Sequence, residues 1–459
     1  MKSIQKLFAL FLMCGAFLAL NAFAPGEKSE TDRLYADWIN QFKANESFTE
    51  HAAEPEIKVV VTADHADWLY KINEQVTFKI SALLDGKPMK GARVSYEIGP
   101  EKMPATLKGE VQLNGSDVVL EGGTMQTGGF LRCTATVEYE GKKYRGLATA
   151  AFSPETIQPT TVMPNDFIDF WTKAIEDNKK IPMDLRMEPM PHLSNDKVNV
   201  YQVNMQNHKV GMRLYGILSM PKAPGKYPAV FRVPGAGVRG YKGDVKMAEK
   251  GIIHFEIGIH GIPVTLDSML YEDIKAGALL GYPSFNMDNR DNYYYKRVYL
   301  GCLRAIDYIF SLPEFDGQNL IVMGGSQGGA LTLATAALDS RVKNIVCTHP
   351  ALSDLMGYQN GRAGGWPHLF NKQEHLTKEK METSRYFDAV NFARLVKVPG
   401  FYTFGYNDET TPPTSLYAAF NSIKAPMTIF IDKETDHKVT PEQRNKQLEY
   451  VYKTLNIDP

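Results

Sequence analysis

The chain has 459 residues, 44% hydrophobic and 22% charged, with a formal net charge of −1. That balance excludes a fibrous or disordered chain, and it offers no basic footprint for nucleic acid or a membrane surface. The length exceeds one ordinary domain and predicts two or three.

Lys2 and Lys6 precede an apolar run over 7–20, and Ala22-Phe23-Ala24 fits a small-x-small cleavage site. Residues 1–24 read as a secretory signal peptide, which predicts an exported, periplasmic or secreted protein. No stop-transfer pattern follows, so no membrane span is expected. Residues 1–24 carry two lysines and no acid, so their removal leaves 49 basic against 52 acidic residues. Three cysteines then remain, Cys133, Cys302 and Cys347, so at least one is unpaired within the chain. Cys133 alternates with Leu131, Ala135 and Val137 and is read as a buried strand residue. Residues 25–53 are polar and charged, with a short helical pattern over 32–42.

Residues 54–153 change character. Apolar alternation such as Val76, Phe78, Ile80 and Val94, Tyr96, Ile98 predicts strands over 57–62, 75–84, 92–98, 110–113, 118–120, 129–139 and 142–152. Asp85-Gly86, Asn114-Gly115 and Glu140-Gly141 supply turns between them. About seven short strands in this length predict an immunoglobulin-like β-sandwich domain. Residues 153–164 hold three prolines and read as a linker.

From 160 to 459 the pattern becomes strands alternating with helices, which predicts an α/β domain with a mainly parallel sheet. A helix opens after Pro164, with Asn165 as its cap and Phe167, Phe170, Trp171 and Ala174 on one face. An antiparallel pair (198–206, 211–220), buried strands (227–233, 252–257) and a long amphipathic helix (293–312) come next. Strands at 342–348, 400–404 and 427–431 complete the set.

Within this domain Asn319-Leu320-Ile321-Val322-Met323 leads into Gly324-Gly325-Ser326-Gln327-Gly328-Gly329 and then a run of helix formers. Strand, tight turn and helix are the context of a G-x-S-x-G nucleophile elbow. The serine hydroxyl is a poor nucleophile until a base takes its proton, and the base needs an acid to orient it. In α/β-hydrolases these follow the serine as acid, then histidine. Phe401 to Asp408 reads as a strand that ends in an acid, Asp408, with Glu409 as the second choice, and Thr411-Pro412-Pro413-Thr414 then starts a helix. His437 follows the last strand. The oxyanion donors are expected to be the N–H groups of Gln327 and, in the Pro234-Gly235-Ala236-Gly237 loop, Ala236. His260, Tyr358, Trp366 and Pro412 are candidates for the substrate pocket. The aromatic segment with Tyr358, Trp366, His368, Phe370, Tyr386 and Phe387 reads either as a stacking cover for a sugar or as helix packing. His349 is read as pocket-lining or packed. The histidines and cysteines show no zinc-site spacing, so neither metal nor cofactor is expected.

These blocks resemble the acetyl xylan esterase / cephalosporin C deacetylase family, carbohydrate esterase family 7. The resemblance rests on four stretches over residues 160–459: Met163 to Trp171; Tyr293-Tyr294-Tyr295-Lys296-Arg297-Val298-Tyr299 running on to the elbow; Tyr386 to Ala393; and Gly405-Tyr406-Asn407-Asp408 through Thr411-Pro412-Pro413-Thr414 to Asn421. It implies Ser326 as nucleophile, Asp408 as acid, His437 as base, and removal of acetyl groups from small acetylated sugars without a metal. Two stretches depart from it. The family's His-Gly-Tyr, whose tyrosine frames the acyl pocket, is here Pro234-Gly235-Ala236. Its Arg-Gly-Gln is here His260-Gly261-Ile262. The β-rich segment is an addition, so the family's ring oligomer need not carry over, and a homo-oligomer is left open.

The reading is an exported serine esterase acting on acetylated xylo-oligosaccharides. Its rivals are an α/β-hydrolase peptidase, an esterase for a larger acyl group, and a non-catalytic sugar-binding protein on a hydrolase scaffold.

Overall fold

The structure is a computed structural model, which describes residues 56–458. The expected signal peptide and the 25–53 segment lie outside the described residues.

The strands of the N-terminal β-rich region are β1 (Ile57–Ala63), β2 (Leu69–Tyr70), β3 (Val76–Leu84), β4 (Lys87–Pro88), β5 (Lys90–Pro100), β6 (Leu107–Asn114), β7 (Val118–Gly123), β8 (Gly129–Tyr139) and β9 (Lys142–Phe152). They form two sheets. In one, β3 lies between β1 and β7 and also pairs with β4; the other runs β2-β9-β8-β5-β6. The alternation predicted this geometry, because successive side chains leave a strand on opposite faces. Val76, Phe78 and Ile80 are buried while Lys79 is exposed. The sheets press together where β9 carries Gly146, since a Cβ there would lie 2.3 Å from the Val59 carbonyl oxygen.

The second region holds β10 (Arg186–Pro189), β11 (Val198–Asn207), β12 (Lys209–Pro221), β13 (Tyr227–Arg232), β14 (Ile253–Gly258), β15 (Phe315–Gly325), β16 (Asn344–Thr348), β17 (Gly400–Phe404) and β18 (Met427–Ile431). They make one sheet in the order β10-β11-β12-β14-β13-β15-β16-β17-β18. Pairing is antiparallel from β10 to β14 and parallel from β14 to β18. Neighbours in the middle are buried on both faces: Leu320, Ile321 and Val322 of β15 are at most 1% exposed. The chain order reverses at β13, which has β14 on one side and β15 on the other. Such a switch point opens a crevice at the carboxyl ends of the strands, where ligands bind in open α/β sheets.

Two sequence expectations are corrected here. The helix Phe167–Lys179 is capped at Asp166, not Asn165, and without a side-chain cap bond. The Asp166 carboxylate is instead engaged by Arg290 at 2.8 Å and by the Tyr386 hydroxyl. Strand β10 was not anticipated: all four of its residues are exposed, so it shows no alternation. Cys133, Cys302 and Cys347 are all free and buried. Residues from Ile57 onward cluster as one compact unit. No helix among the described residues is long and apolar enough to cross a membrane.

Candidate active site

Ser326 sits between the end of β15 and the helix Gln327–Leu338, with φ 59° and ψ −124°. A non-glycine residue in that region stores strain of about 1–3 kcal/mol and persists only where its surroundings hold it. Here the Ser326 N–H donates to the Thr348 carbonyl at 3.0 Å, and its own carbonyl accepts from Gly329 and Ala351. The flanking glycines are steric necessities. A Cβ at Gly324 would lie 2.6 Å from the Gly328 carbonyl oxygen, and one at Gly328 2.5 Å from that of Val233. Helix, β15 and β13 can touch only because both are bare.

His437 Nε2 lies 2.9 Å from Ser326 Oγ, and its Nδ1 lies 2.7 Å from Asp408 Oδ2. A carboxylate can only accept, so Nδ1 carries the proton and donates to Asp408. Nε2 is therefore the acceptor, and the serine hydroxyl donates to it. Asp408 is fully buried. Its Oδ1 accepts the N–H groups of Thr410 and Thr411, both at 2.8 Å, and its Oδ2 also accepts the Thr411 hydroxyl at 2.7 Å. Burial pushes this carboxyl up, but the bond from His437 and these further donors outweigh it, and Asp408 stays below the usual carboxylate range. Glu409, the second choice, points elsewhere. Both its oxygens are taken by Arg145 of β9, at 2.5 and 2.9 Å.

Of the expected oxyanion donors, Gln327 follows the serine in the chain and Ala236 lines the same cleft as Ser326. Among the described residues, neither the Gln327 N–H nor the Ala236 N–H donates to a protein acceptor. The Gln327 side chain couples the two segments. Its Oε1 accepts from the hydroxyls of Tyr282 (2.7 Å) and Tyr295 (2.8 Å), and its Nε2 donates to the Pro234 carbonyl at 3.3 Å. Arg239 staples the same loop from outside, donating to the carbonyls of Ala236 (2.9 Å) and Gly235 (3.2 Å). Arg239 was not singled out from the sequence, and Thr411 only as the start of the next helix, not as a partner of Asp408. Arg239 gives no local signal, whereas Asp-x-x-Thr at 408–411 has the spacing of an acid receiving the next amides.

A cleft of about 700 Å³ opens over Ser326 and is lined by Ala236, His349, Trp366 and His437 among others. His260, Tyr358 and Pro412 are not among its lining residues. His260 is buried and works from behind. Its Nε2 donates to the Gly237 carbonyl at 3.0 Å, so its Nδ1 must accept from the Tyr294 hydroxyl at 2.6 Å. Burial lowers its pKa to about 4, so it is neutral at pH 7. Tyr358 bonds His368 at 2.9 Å, and Pro412 is buried at the start of the helix Pro413–Phe420. Of the aromatic segment only Trp366 reaches the cleft. Phe387 packs on Trp171 with centroids 5.4 Å apart, and Phe370 is buried.

His349, Asp408 and His437 offer ligand atoms within 4.8 Å of one another. Asp408 and His437 already satisfy each other, and a structural zinc would want four ligands at about 2.0–2.3 Å. The arrangement is instead that of a base poised on a nucleophile, beside free amides that can receive negative charge.

Residues 154–454 match the sequence model of the family described as Acetyl xylan esterase (AXE1). The chain is 40% identical over 397 residues to Acetyl esterase Axe7A of Xylanibacter ruminicola, covering 85% of this chain and 89% of that protein. A match of that length necessarily reaches into the β-rich region, which the family model leaves out. Among solved structures, the acetyl xylan esterase of Paenibacillus sp. R4 superposes with a TM-score of 0.57 at 26% identity, over 65% of this chain and 98% of its own. Acetyl xylan esterase 1 of Thermoanaerobacterium sp. JW/SL YS485 gives a TM-score of 0.58 at 21% identity, over 66% and 97%, a likeness of fold.

Proposed function

This chain belongs to the acetyl xylan esterase family, and on that premise we propose that Ser326, His437 and Asp408 hydrolyse the acetyl ester of acetylated xylo-oligosaccharides. The protein is a carboxylic ester hydrolase of the carbohydrate acetyl esterase class.

In the proposed mechanism Ser326 Oγ attacks the acetyl carbonyl carbon while His437 Nε2 takes the hydroxyl proton. The carbonyl oxygen becomes an oxyanion and turns to the N–H groups of Gln327 and Ala236. His437 then protonates the departing sugar oxygen, leaving acetyl-Ser326. Water, deprotonated by His437, attacks that ester and releases acetate. Asp408 holds the Nδ1–H tautomer and stabilises the imidazolium that forms twice per cycle. The observation that carries the reading is the continuous bond chain Ser326 Oγ to His437 to Asp408, at 2.9 and 2.7 Å.

Acetate release from acetylated xylo-oligosaccharides, with Ser326→Ala beside the native protein, tests it. Release that vanishes in the variant supports the mechanism and the substrate together. A chromogenic peptide panel run alongside would expose the peptidase alternative. Native protein that cleaves a small activated acetate but not the oligosaccharide would move the substrate to another ester. Ala236, in place of the family's tyrosine, is then the first residue to examine for acyl size. Export through residues 1–24 belongs to the same reading, and the oligomeric state is open. N-terminal sequencing of the exported protein and light scattering check them.

A further inference from the structure

We propose that Arg132 and Thr149, both in the β-rich region, are positioning residues for the ester hydrolysis: they hold the loop that presents Asp408 to His437. This rests on the reading of Ser326, His437 and Asp408 as the catalytic triad.

Arg132 stands on β8 and is only 6% exposed. Its Nη2 donates to the carbonyls of Tyr406 (3.1 Å) and Asp408 (3.2 Å), so it grips the acid loop by its backbone on either side of Asn407. Its Nε donates to the Thr149 hydroxyl on β9 at 2.8 Å. The Thr149 hydroxyl in turn donates a hydrogen bond to Asn407 Oδ1 at 3.0 Å. Asn407 Nδ2 then donates to Leu147 O on β9 and to Glu434 O, both at 3.1 Å. Glu434 lies three residues before His437. One buried network therefore ties the acid loop, the histidine loop and the β-rich region together.

The buried carboxyl beside Arg132 extends the grip. Glu101, 2% exposed, faces Arg132 Nη2 with Oε2 at 3.3 Å and accepts the Thr414 N–H on Oε1 at 2.6 Å. Thr414 is in the first turn of the helix that follows the acid loop. A carboxylate at a helix N-terminus is favourably placed.

A buried ion pair is weak evidence for stability, because desolvation consumes most of the Coulombic gain. An apolar contact of the same volume would join the two regions as well. What this network supplies is placement. Its bonds across the boundary end on residues 406, 407, 408 and 414, and through Asn407 on 434, around two of the three triad members. A displacement of about 1 Å at such a site can cost on the order of 100-fold in rate.

The test uses the whole chain and p-nitrophenyl acetate. Arg132→Met and Thr149→Val are each made alone and in an Asp408→Asn background, with Ser326→Ala in parallel. Alone, each variant is expected to lower kcat by roughly 10- to 100-fold with KM within about 3-fold. In the Asp408→Asn background the same substitutions should cost less than about 2-fold, because they act through Asp408. Equal losses in both backgrounds, or unchanged kcat in a folded Arg132→Met, would overturn the proposal. Should Arg132→Met show no cooperative unfolding transition, Thr149→Val decides by the same criterion, since it removes one hydroxyl at nearly constant shape. Ser326→Ala that keeps native turnover would overturn the triad reading and this proposal with it. An inactive Ser326→Ala with equal losses in the two backgrounds overturns the positioning role alone.

Discussion

The imidazole of His349 lies 4.3 Å from that of His437, centroid to centroid, with the planes inclined at 34°. Burial, followed by the neighbouring His437, depresses the His349 pKa to about 3, so it stays neutral while, in the proposed mechanism, His437 cycles through its charged form. Its Nδ1 has no hydrogen-bond partner among the described residues and lies 4.0 Å from Asp408 Oδ2. Its role is then that of a wall. His349→Phe keeps the ring and should retain kcat within about 3-fold, whereas His349→Lys brings a cation against the imidazolium and should lower kcat by on the order of 100-fold. Steady-state kinetics on p-nitrophenyl acetate separate the two. A large loss in His349→Phe would show that the imidazole nitrogens matter to the chemistry.

Asp408→Asn keeps the shape of the acid but replaces an acceptor with an amide. Its NH₂ can donate to His437 Nδ1, which would place the ring proton on Nε2, facing the serine. By analogy with serine hydrolases that lose this carboxylate, kcat should fall by about 10⁴. A lowered Tm is also expected, because the ionised carboxylate accepts four hydrogen bonds in the folded protein and the amide cannot accept them all; loss of activity in a variant that still unfolds cooperatively is the result that checks the role.

Gln327 Oε1 accepts the hydroxyls of Tyr282 and Tyr295 inside the protein. Gln327→Leu removes that acceptor; Tyr295 can turn to Tyr282, which leaves one buried hydroxyl without an acceptor. The variant should lose roughly 1–3 kcal/mol. Urea unfolding measures this. A loss below about 1 kcal/mol would mean that water replaces the amide.

Glu101 gives a pH dependence whose sign can be worked out. Burial raises its pKa from 4.5 to about 7, and Arg132 only partly offsets this. Between those values the folded state holds a proton that the unfolded chain has released. The stabilising contribution is therefore full below pH 4.5 and is lost as pH rises through about 7. Glu101→Gln should flatten this part of the stability curve, measured by urea unfolding from pH 5 to pH 8. Asp388, also buried and raised to about 7, leaves its own slope behind. Asp408 acts oppositely: its depressed pKa stabilises the fold above 3.8 and that share is lost in stronger acid.

What could be read in the sequence was whatever is written within a few residues. The elbow is legible because Gly324 and Gly328 answer a local steric demand. Asp408 and His437 are legible because each stands in the loop after a strand, in a fixed order. His260 illustrates the limit. Its loop was recognised, but its ring direction is set by Tyr294, 34 residues further on. The Asn165 cap was displaced by one residue for a similar reason: Asp166 is engaged by Tyr386 and Arg290, which no local pattern announces. Trp366 reached the cleft while Tyr358, eight residues earlier, turned to His368, a choice that packing makes and periodicity does not.

Arg132 and the Asp408 carbonyl are 276 residues apart in the chain. A ribosome making this protein finishes the β-rich region long before it reaches the acid loop. Until residues 406–437 emerge, Arg132 has nothing to grip and Ser326 has no base. On the proposed triad, a nascent chain, or one cut short before His437, thus holds its nucleophile inert.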